Sequence, residues 1–441
     1  TCHLGIMEKL ISPQRRMILK AILVLTIFQC CSAFLRTPLD VMSRRFLNQR
    51  TCGHQGKLVM TAVRTEESVV EATRRTVAST IRDDLKDLDQ RLYAAPFAYG
   101  SKVPTHADCI NLLDLELEDG AGPHSRRLCD ILVRDHYAII KLPRSSSSSL
   151  DQMWETADKF FGMDQKEKAL AGGKMSKAAN NVGVIGWGQM SDGNEFLEMR
   201  LTANGQIFPP SLDDFIPDFT SSTRRARELL MRASKAVVVA AERKVGLRRG
   251  GLSNLLDDGR MHADGSLSST QHRFCFYKSS SQVAFEAHTD TTFVTVIPCS
   301  KIPGLEVLSP EEGWIQPESS SGVDQTCSVI VMPGEMLQVL TGGQFQAAIH
   351  RVTRSSSSEG GSSAQDRVSA PLLVRGRILE QIDNKSILLE ADTPGTRSEE
   401  VYGGGGEYLR RKLKSLTGTS LFDLHSVLVQ PPQFAPSNRQ E

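Results

Sequence analysis

Ala284-Phe-Glu-Ala-His-Thr-Asp-Thr-Thr-Phe-Val-Thr-Val-Ile-Pro298 reads as the end of one strand, a corner and the start of another. His288 and Asp290 sit at the corner, two residues apart. In a strand, residues i and i+2 point to the same face, so one imidazole and one carboxylate project into the same space. A second histidine facing them would complete a 2-His-1-carboxylate set with open positions, which suits non-haem Fe(II).

The His-x-Asp pattern is weak alone, because it also occurs as His106-Ala-Asp108 and His262-Ala-Asp264. His106 precedes a short strand far from this region. His262 lies in a Gly/Asp/Ser-rich loop and reads as solvated surface. Only His288 stands within a run of strands, which the residues place at 273–278, 281–287, 292–298, 304–308, 314–317, 328–332, 336–340, 344–353 and 367–374. Pro303-Gly304, Ser309-Pro310, Pro333-Gly334 and Gly342-Gly343 punctuate them. Many short strands at such spacing predict a sandwich or jelly-roll barrel with a site between its sheets.

Two histidines follow Asp290. His350, in Gln344-Phe-Gln-Ala-Ala-Ile-His350, is the candidate third ligand; His425 stands in an apolar tail segment and reads as packing or surface. In Arg367-Val-Ser369 the Arg and Ser share one strand face and can clamp a carboxylate, the Arg with its planar fork and the Ser with a hydroxyl. A dicarboxylate fits, one end on the iron and the other on Arg367. Tyr277 is placed to donate to the same ligand.

At these residues the chain resembles the plant-type 2-oxoglutarate/Fe(II)-dependent dioxygenases, the isopenicillin N synthase-like superfamily. The match runs through His288-Thr-Asp290, Gly304-Leu-Glu-Val-Leu308, Trp314, Pro333-Gly-Glu-Met-Leu-Gln-Val-Leu340, His350-Arg-Val352 and Arg367-Val-Ser369, with coverage of about residues 105–415. The resemblance implies an α+β fold with a mainly β core, a double-stranded β-helix (jelly-roll) barrel flanked by helices. It implies Fe(II) on His288, Asp290 and His350, and 2-oxoglutarate on Arg367, Ser369 and Tyr277. The implied reaction consumes O2, decarboxylates 2-oxoglutarate to succinate and hydroxylates or desaturates a small organic metabolite, with ascorbate a candidate stimulant. Three departures stand out: a Ser/Gly run at 355–363 lengthens the His350–Arg367 connection, Cys275 replaces the asparagine of many relatives, and no proline follows Tyr277. Three other readings are a same-fold oxidase that does not use 2-oxoglutarate, a non-catalytic jelly roll that binds a small acid, and a Zn- or Ni-loaded cupin-like enzyme. The carboxylate in the ligand set argues against the last, since Zn favours closed tetrahedral sets.

The rest of the chain bounds these readings. With 441 residues, 40% hydrophobic and 23% charged, it has ordinary globular composition. A formal net charge of +1 gives no case for nucleic acid as a partner, and no apolar run is long enough for a membrane span. The nine cysteines form no Cys-x-x-Cys pair and no disulfide framework, so those beyond Cys52 read as buried thiols. A monomer acting on a small molecule is expected.

Residues 1–62 read as a targeting region. Arg15, Arg16 and Lys20 flank the apolar run 21–28, Cys31-Ser-Ala33 supplies small residues, and the following stretch is Arg-rich and acid-poor. This resembles a bipartite plastid signal, with secretion as the alternative and Met17 as a candidate start. Residues 66–265 read as a helical and mixed region, 270–378 as the barrel core, and 379–441 as a helical extension. Helices are expected at 66–95, 125–135, from Ser149 to Gly162, and at 222–245, where Ala226, Leu230, Ala233, Val237 and Ala241 form one stripe. Strands are expected at 108–115 and 137–142, and the glycines of 182–188 suggest a flexible loop.

Overall fold

A computed structural model describes residues 55–95, 101–104, 108–177, 183–190, 192–202, 204–259, 267–279, 283–353, 365–388 and 406–428. The chain divides into two compact units, Thr1–Val69 and Val70–Glu441. Described residues of the first unit are 55–69, all helical; its proposed signal sequence lies outside them. The unit that carries the chemistry is the second.

Two sheets build it. The larger runs in the order Cys109–Asn111, Ala138–Lys141, Ser328–Pro333, Val294–Pro298, Leu372–Val374, Gln271–Tyr277, Glu195–Leu201, Val184–Gln189, Ser176–Lys177, with Arg367–Ser369 also paired to Gln271–Tyr277. The smaller runs Ser101–Lys102, Gly313–Ile315, Leu305–Ser309, His350–Thr353, Val283–His288. From Gln271 onward the chain passes back and forth between the two sheets, which is jelly-roll connectivity; the two sheets do not close into a barrel. Strands Val294–Pro298 and Ser328–Pro333 are buried on both faces, as β-branched runs covered by helices on one side and the second sheet on the other should be.

The helix Phe219–Lys244 covers the outer face of the larger sheet. Its stripe Ala226, Leu230, Ala233, Val237 and Ala241 is fully buried. Phe219 meets Phe274 at 5.8 Å and Phe161 stacks on Phe276 at 5.3 Å, so the outward residues of the Gln271–Tyr277 strand are sealed by aromatic rings. That leaves Gln271, Arg273, Cys275 and Tyr277, the other face of the strand, looking inward.

Several local expectations change. Residues 335–340 form a helix, Glu335–Leu340, and not a strand. Pro333-Gly334 ends the preceding strand, and Gly334 accepts the first helical bond, with Gln338 N–H donating to its carbonyl. Residues 184–189 are a strand paired with Glu195–Leu201, where a loop was expected. The segment 108–115 is half strand and half helix, Leu112–Glu118. The helix expected at 66–95 runs Gln55–Ala94. Glu195–Leu201 pairs with Gln271–Tyr277 and Ala138–Lys141 with Ser328–Pro333. The Ser/Gly run 355–363 lies outside the described residues. The five described cysteines are free thiols, and no described helix is long and apolar enough to cross a membrane.

Candidate metal and co-substrate site

His288 ends one strand of the smaller sheet and His350 begins its antiparallel neighbour, and the two are directly paired. Their ring centroids lie 4.2 Å apart. Asp290, two residues beyond His288, places Oδ1 3.9 Å from His288 Nε2 and Oδ2 3.6 Å from His350 Nε2. Among the described residues these three form the one His/Cys/Asp/Glu group whose ligand atoms lie close enough to share a metal ion, all within 4.8 Å of each other. His106, His262 and Asp264 lie outside the described residues, and Asp108 pairs with Arg127 at the surface.

The donor set fits a cation. His288 Nδ1 donates to the Glu286 carbonyl at 2.8 Å and His350 Nδ1 to the Ala348 carbonyl at 3.1 Å. A carbonyl only accepts, so each Nδ1 carries the proton and each Nε2 presents a lone pair to the centre. Burial and the neighbouring His350 lower the His288 pKa to about 4, so its ring is neutral near pH 7. Burial alone would raise Asp290, but His350, His288 and the Thr295 hydroxyl, which donates to Oδ2 at 2.6 Å, outweigh it and hold the carboxyl below its ordinary value.

Backbone packing aims this corner. Glu335 N–H donates to the Asp290 carbonyl at 2.9 Å and Met336 N–H to that of Thr292 at 3.0 Å. The first turn of the Glu335–Leu340 helix therefore rests on the Asp290–Thr292 corner. A Cβ at Gly334 would stand 2.2 Å from the Thr292 carbonyl oxygen, so only glycine permits the contact. Thr289 also donates to Glu335 at 2.5 Å, and burial raises that glutamate to about 7.

Across the interior, Arg367 stands opposite Tyr277 and Ser369 opposite Cys275 in one antiparallel pair. All four are buried. Arg367 Nε donates to the Ile302 carbonyl at 3.0 Å, and Nη2 to both oxygens of Glu318 at 3.0 and 3.1 Å. Nη1 is buried without a partner. That orphaned donor fits a carboxylate ligand, because an enclosed guanidinium nitrogen left unpaired is costly. Glu318 is itself held by the backbone N–H groups of Ser300, Gly304 and Leu305. Gly304 has no side chain because a Cβ there would meet Arg367 Cδ at 2.8 Å. Tyr277 lies with its ring 5.7 Å from the Arg367 guanidinium carbon, and burial holds its phenol protonated as a donor.

A family model described as the 2OG-Fe(II) oxygenase superfamily matches residues 266–375. This segment is a 2OG-Fe(II) oxygenase domain. All six site residues fall inside it. A gibberellin 3-beta-dioxygenase 3 of Arabidopsis thaliana is 39% identical over 67 residues, covering 14% of this chain and 18% of that protein. A leucoanthocyanidin dioxygenase of Malus domestica is 26% identical over 223 residues, covering 47% and 57% respectively. The chain thus spans less than two-thirds of these curated relatives. Among solved structures, the dioxygenase for auxin oxidation in rice is 17% identical, with 62% of this chain and 82% of that one covered and a TM-score of 0.42.

Nothing in the local sequence pattern singles out Thr295, Glu318 or Arg375. The Pro317-Glu318 pair carried no signal, since a lone glutamate after a short strand normally reads as surface; it is 1% exposed. His425, read as packing or surface, has its Nε2 3.3 Å from the Thr291 hydroxyl, one residue from Asp290.

Proposed function

We propose that the chain is a 2-oxoglutarate- and Fe(II)-dependent dioxygenase that hydroxylates or desaturates a small organic metabolite. One observation carries the reading: the His288/Asp290/His350 cluster and the buried Arg367 with its unpartnered Nη1 both fall inside the matched oxygenase domain. His288, Asp290 and His350 hold Fe(II). Bound iron would supply O2 activation coupled to decarboxylation of 2-oxoglutarate to succinate. Arg367 Nη1, Ser369 Oγ and the Tyr277 hydroxyl hold the far carboxylate of the co-substrate. Glu318 and Ile302 keep the guanidinium from turning. Thr295 keeps Asp290 in its rotamer. The relatives' names, gibberellin and leucoanthocyanidin dioxygenases, favour an organic metabolite as the substrate class.

The test is O2 uptake and succinate release by the full chain with Fe(II), ascorbate, 2-oxoglutarate and a metabolite extract. Both should rise with extract and vanish in His288→Ala. Binding of 2-oxoglutarate with no O2 uptake under any extract would instead support the small-acid-binding reading, and O2 uptake without succinate the oxidase reading. We also propose a monomer delivered to the plastid by residues 1–62, on the basic flank and apolar run quoted above. A fluorescent fusion of those residues that stays in the secretory pathway would refute the delivery.

A further inference from the structure

The inward face of the larger sheet carries a second charged array, away from Arg367. Thr295, whose hydroxyl reaches Asp290, is paired with Leu373, and Leu373 is paired with Gln271. Directly paired residues share a sheet face, so all three face the metal corner. Arg273 is two residues from Gln271, and Arg375 two residues from Leu373. Both arginines therefore project on the side of the iron ligands. Each is close enough for Asp290 to raise its pKa.

The carboxylates on this face are already engaged by other partners. Glu198 receives Arg273 Nε on one oxygen at 2.5 Å and Gln271 Nε2 on the other at 3.1 Å, so it is fully engaged. Asp290 is committed to the metal. Arg375 is 9% exposed, and its side chain reaches only neutral acceptors, the Ser269 carbonyl and the Gln271 side-chain oxygen. Its Nε is buried with no hydrogen-bond partner. Among the described residues, the acceptors its side chain meets are both uncharged. Burial and the nearby Arg273 lower it to about 10, which still leaves it charged at neutral pH. An enclosed guanidinium nitrogen left without a partner is costly, so this group favours an incoming anion.

We infer that the prime substrate is a carboxylic acid, and that its carboxylate is received by Arg375 with Arg273 beside it. The inference rests on the oxygenase reading of the same site and names the substrate class that reading leaves open. Arg375 is then a specificity-determining residue, distinct from the co-substrate clamp at Arg367. Its enclosed Nε takes one carboxylate oxygen, and the rest of the acid lies on the His288/Asp290/His350 side of the sheet.

The test is calorimetric titration of the full chain loaded with Fe(II) and 2-oxoglutarate under nitrogen. The probes are hexanoate, benzoate and phenylacetate, each against its primary amide. At least one acid should bind roughly 10-fold or more tighter than its amide, as a charge-assisted pair requires. Arg375→Met should reduce that preference to about the twofold level while leaving affinity for Fe(II) and 2-oxoglutarate unchanged. Arg375→Lys, which keeps the charge, should retain part of it and guards against misfolding of the methionine variant. Equal binding of acids and amides, absence of binding by every acid, or a preference that survives Arg375→Met overturns the inference. Failure of 2-oxoglutarate itself to bind the iron-loaded chain is a different result and counts against the oxygenase reading.

Discussion

His288 and His350 are direct cross-strand partners, and their rings meet at 4.2 Å with Nδ1 of each tied to a backbone carbonyl. The two lone pairs are thus oriented by the sheet before any metal arrives. His350→Ala removes one of three donors from a preoriented set. Fe(II) affinity should fall by at least roughly 100-fold, beyond what the loss of a supporting residue alone costs. Anaerobic calorimetry with Fe(II) measures it; retention of iron within tenfold of the native chain would remove His350 from the ligand set.

Thr295 donates to Asp290 Oδ2 at 2.6 Å from the neighbouring strand. Thr295→Val keeps the shape and deletes the donor. Iron affinity should drop about 10-fold, with the thermal midpoint nearly unchanged, as expected for a partner that orients a ligand. An unchanged affinity would show that the carboxylate needs no such support.

Arg367 and Glu318 separate two roles. Arg367→Leu should weaken 2-oxoglutarate binding by roughly 10- to 100-fold, the worth of a charge-assisted carboxylate contact, and leave Fe(II) affinity intact. Equal loss of iron would mean Arg367 is structural. Glu318→Ala strands the buried guanidinium and three backbone N–H groups, so denaturant unfolding should show a loss of about 3–5 kcal/mol. A loss below about 1 kcal/mol, typical of a surface pair, would contradict the buried geometry.

Acid should destabilise the fold through two histidines distant from the metal corner. Burial, then the adjacent Arg91, lowers His136 to about 3; burial, then Arg227, lowers His272 to about 3. Their ordinary value is 6.5, so between these limits the unfolded chain binds more protons than the folded one. Stability is therefore full above about pH 6.5 and is lost as pH falls through that window, by on the order of 2 kcal/mol per histidine at about pH 4.5. Urea midpoints across this range check the slope. His272→Phe should shallow it, and an unaltered slope would assign the acid sensitivity elsewhere.

Much of the site was legible without the fold. Period-two spacing put His288 with Asp290 and Arg367 with Ser369 on common faces, and turn residues marked most strands of the second half. Side-chain chemistry then limited what such a set could do. The misreadings share one cause. Residues 335–340 are apolar enough for a strand, yet they form a helix whose N-cap, Gly334, lies against Thr292. Residues 184–189 look like a glycine loop until Glu195–Leu201 pairs with them.

What the sequence determined by itself was the residue types of the candidate site and the alternation that groups them. Only the tertiary structure decided who stands opposite whom: His350 across from His288, Glu318 against Arg367, and Arg375 buried near Asp290 with its Nε left without a partner. The physical reason is that local periodicity sets the face a side chain points to. Its partner, and so its charge balance, is set by the order and register of strands far apart in the chain.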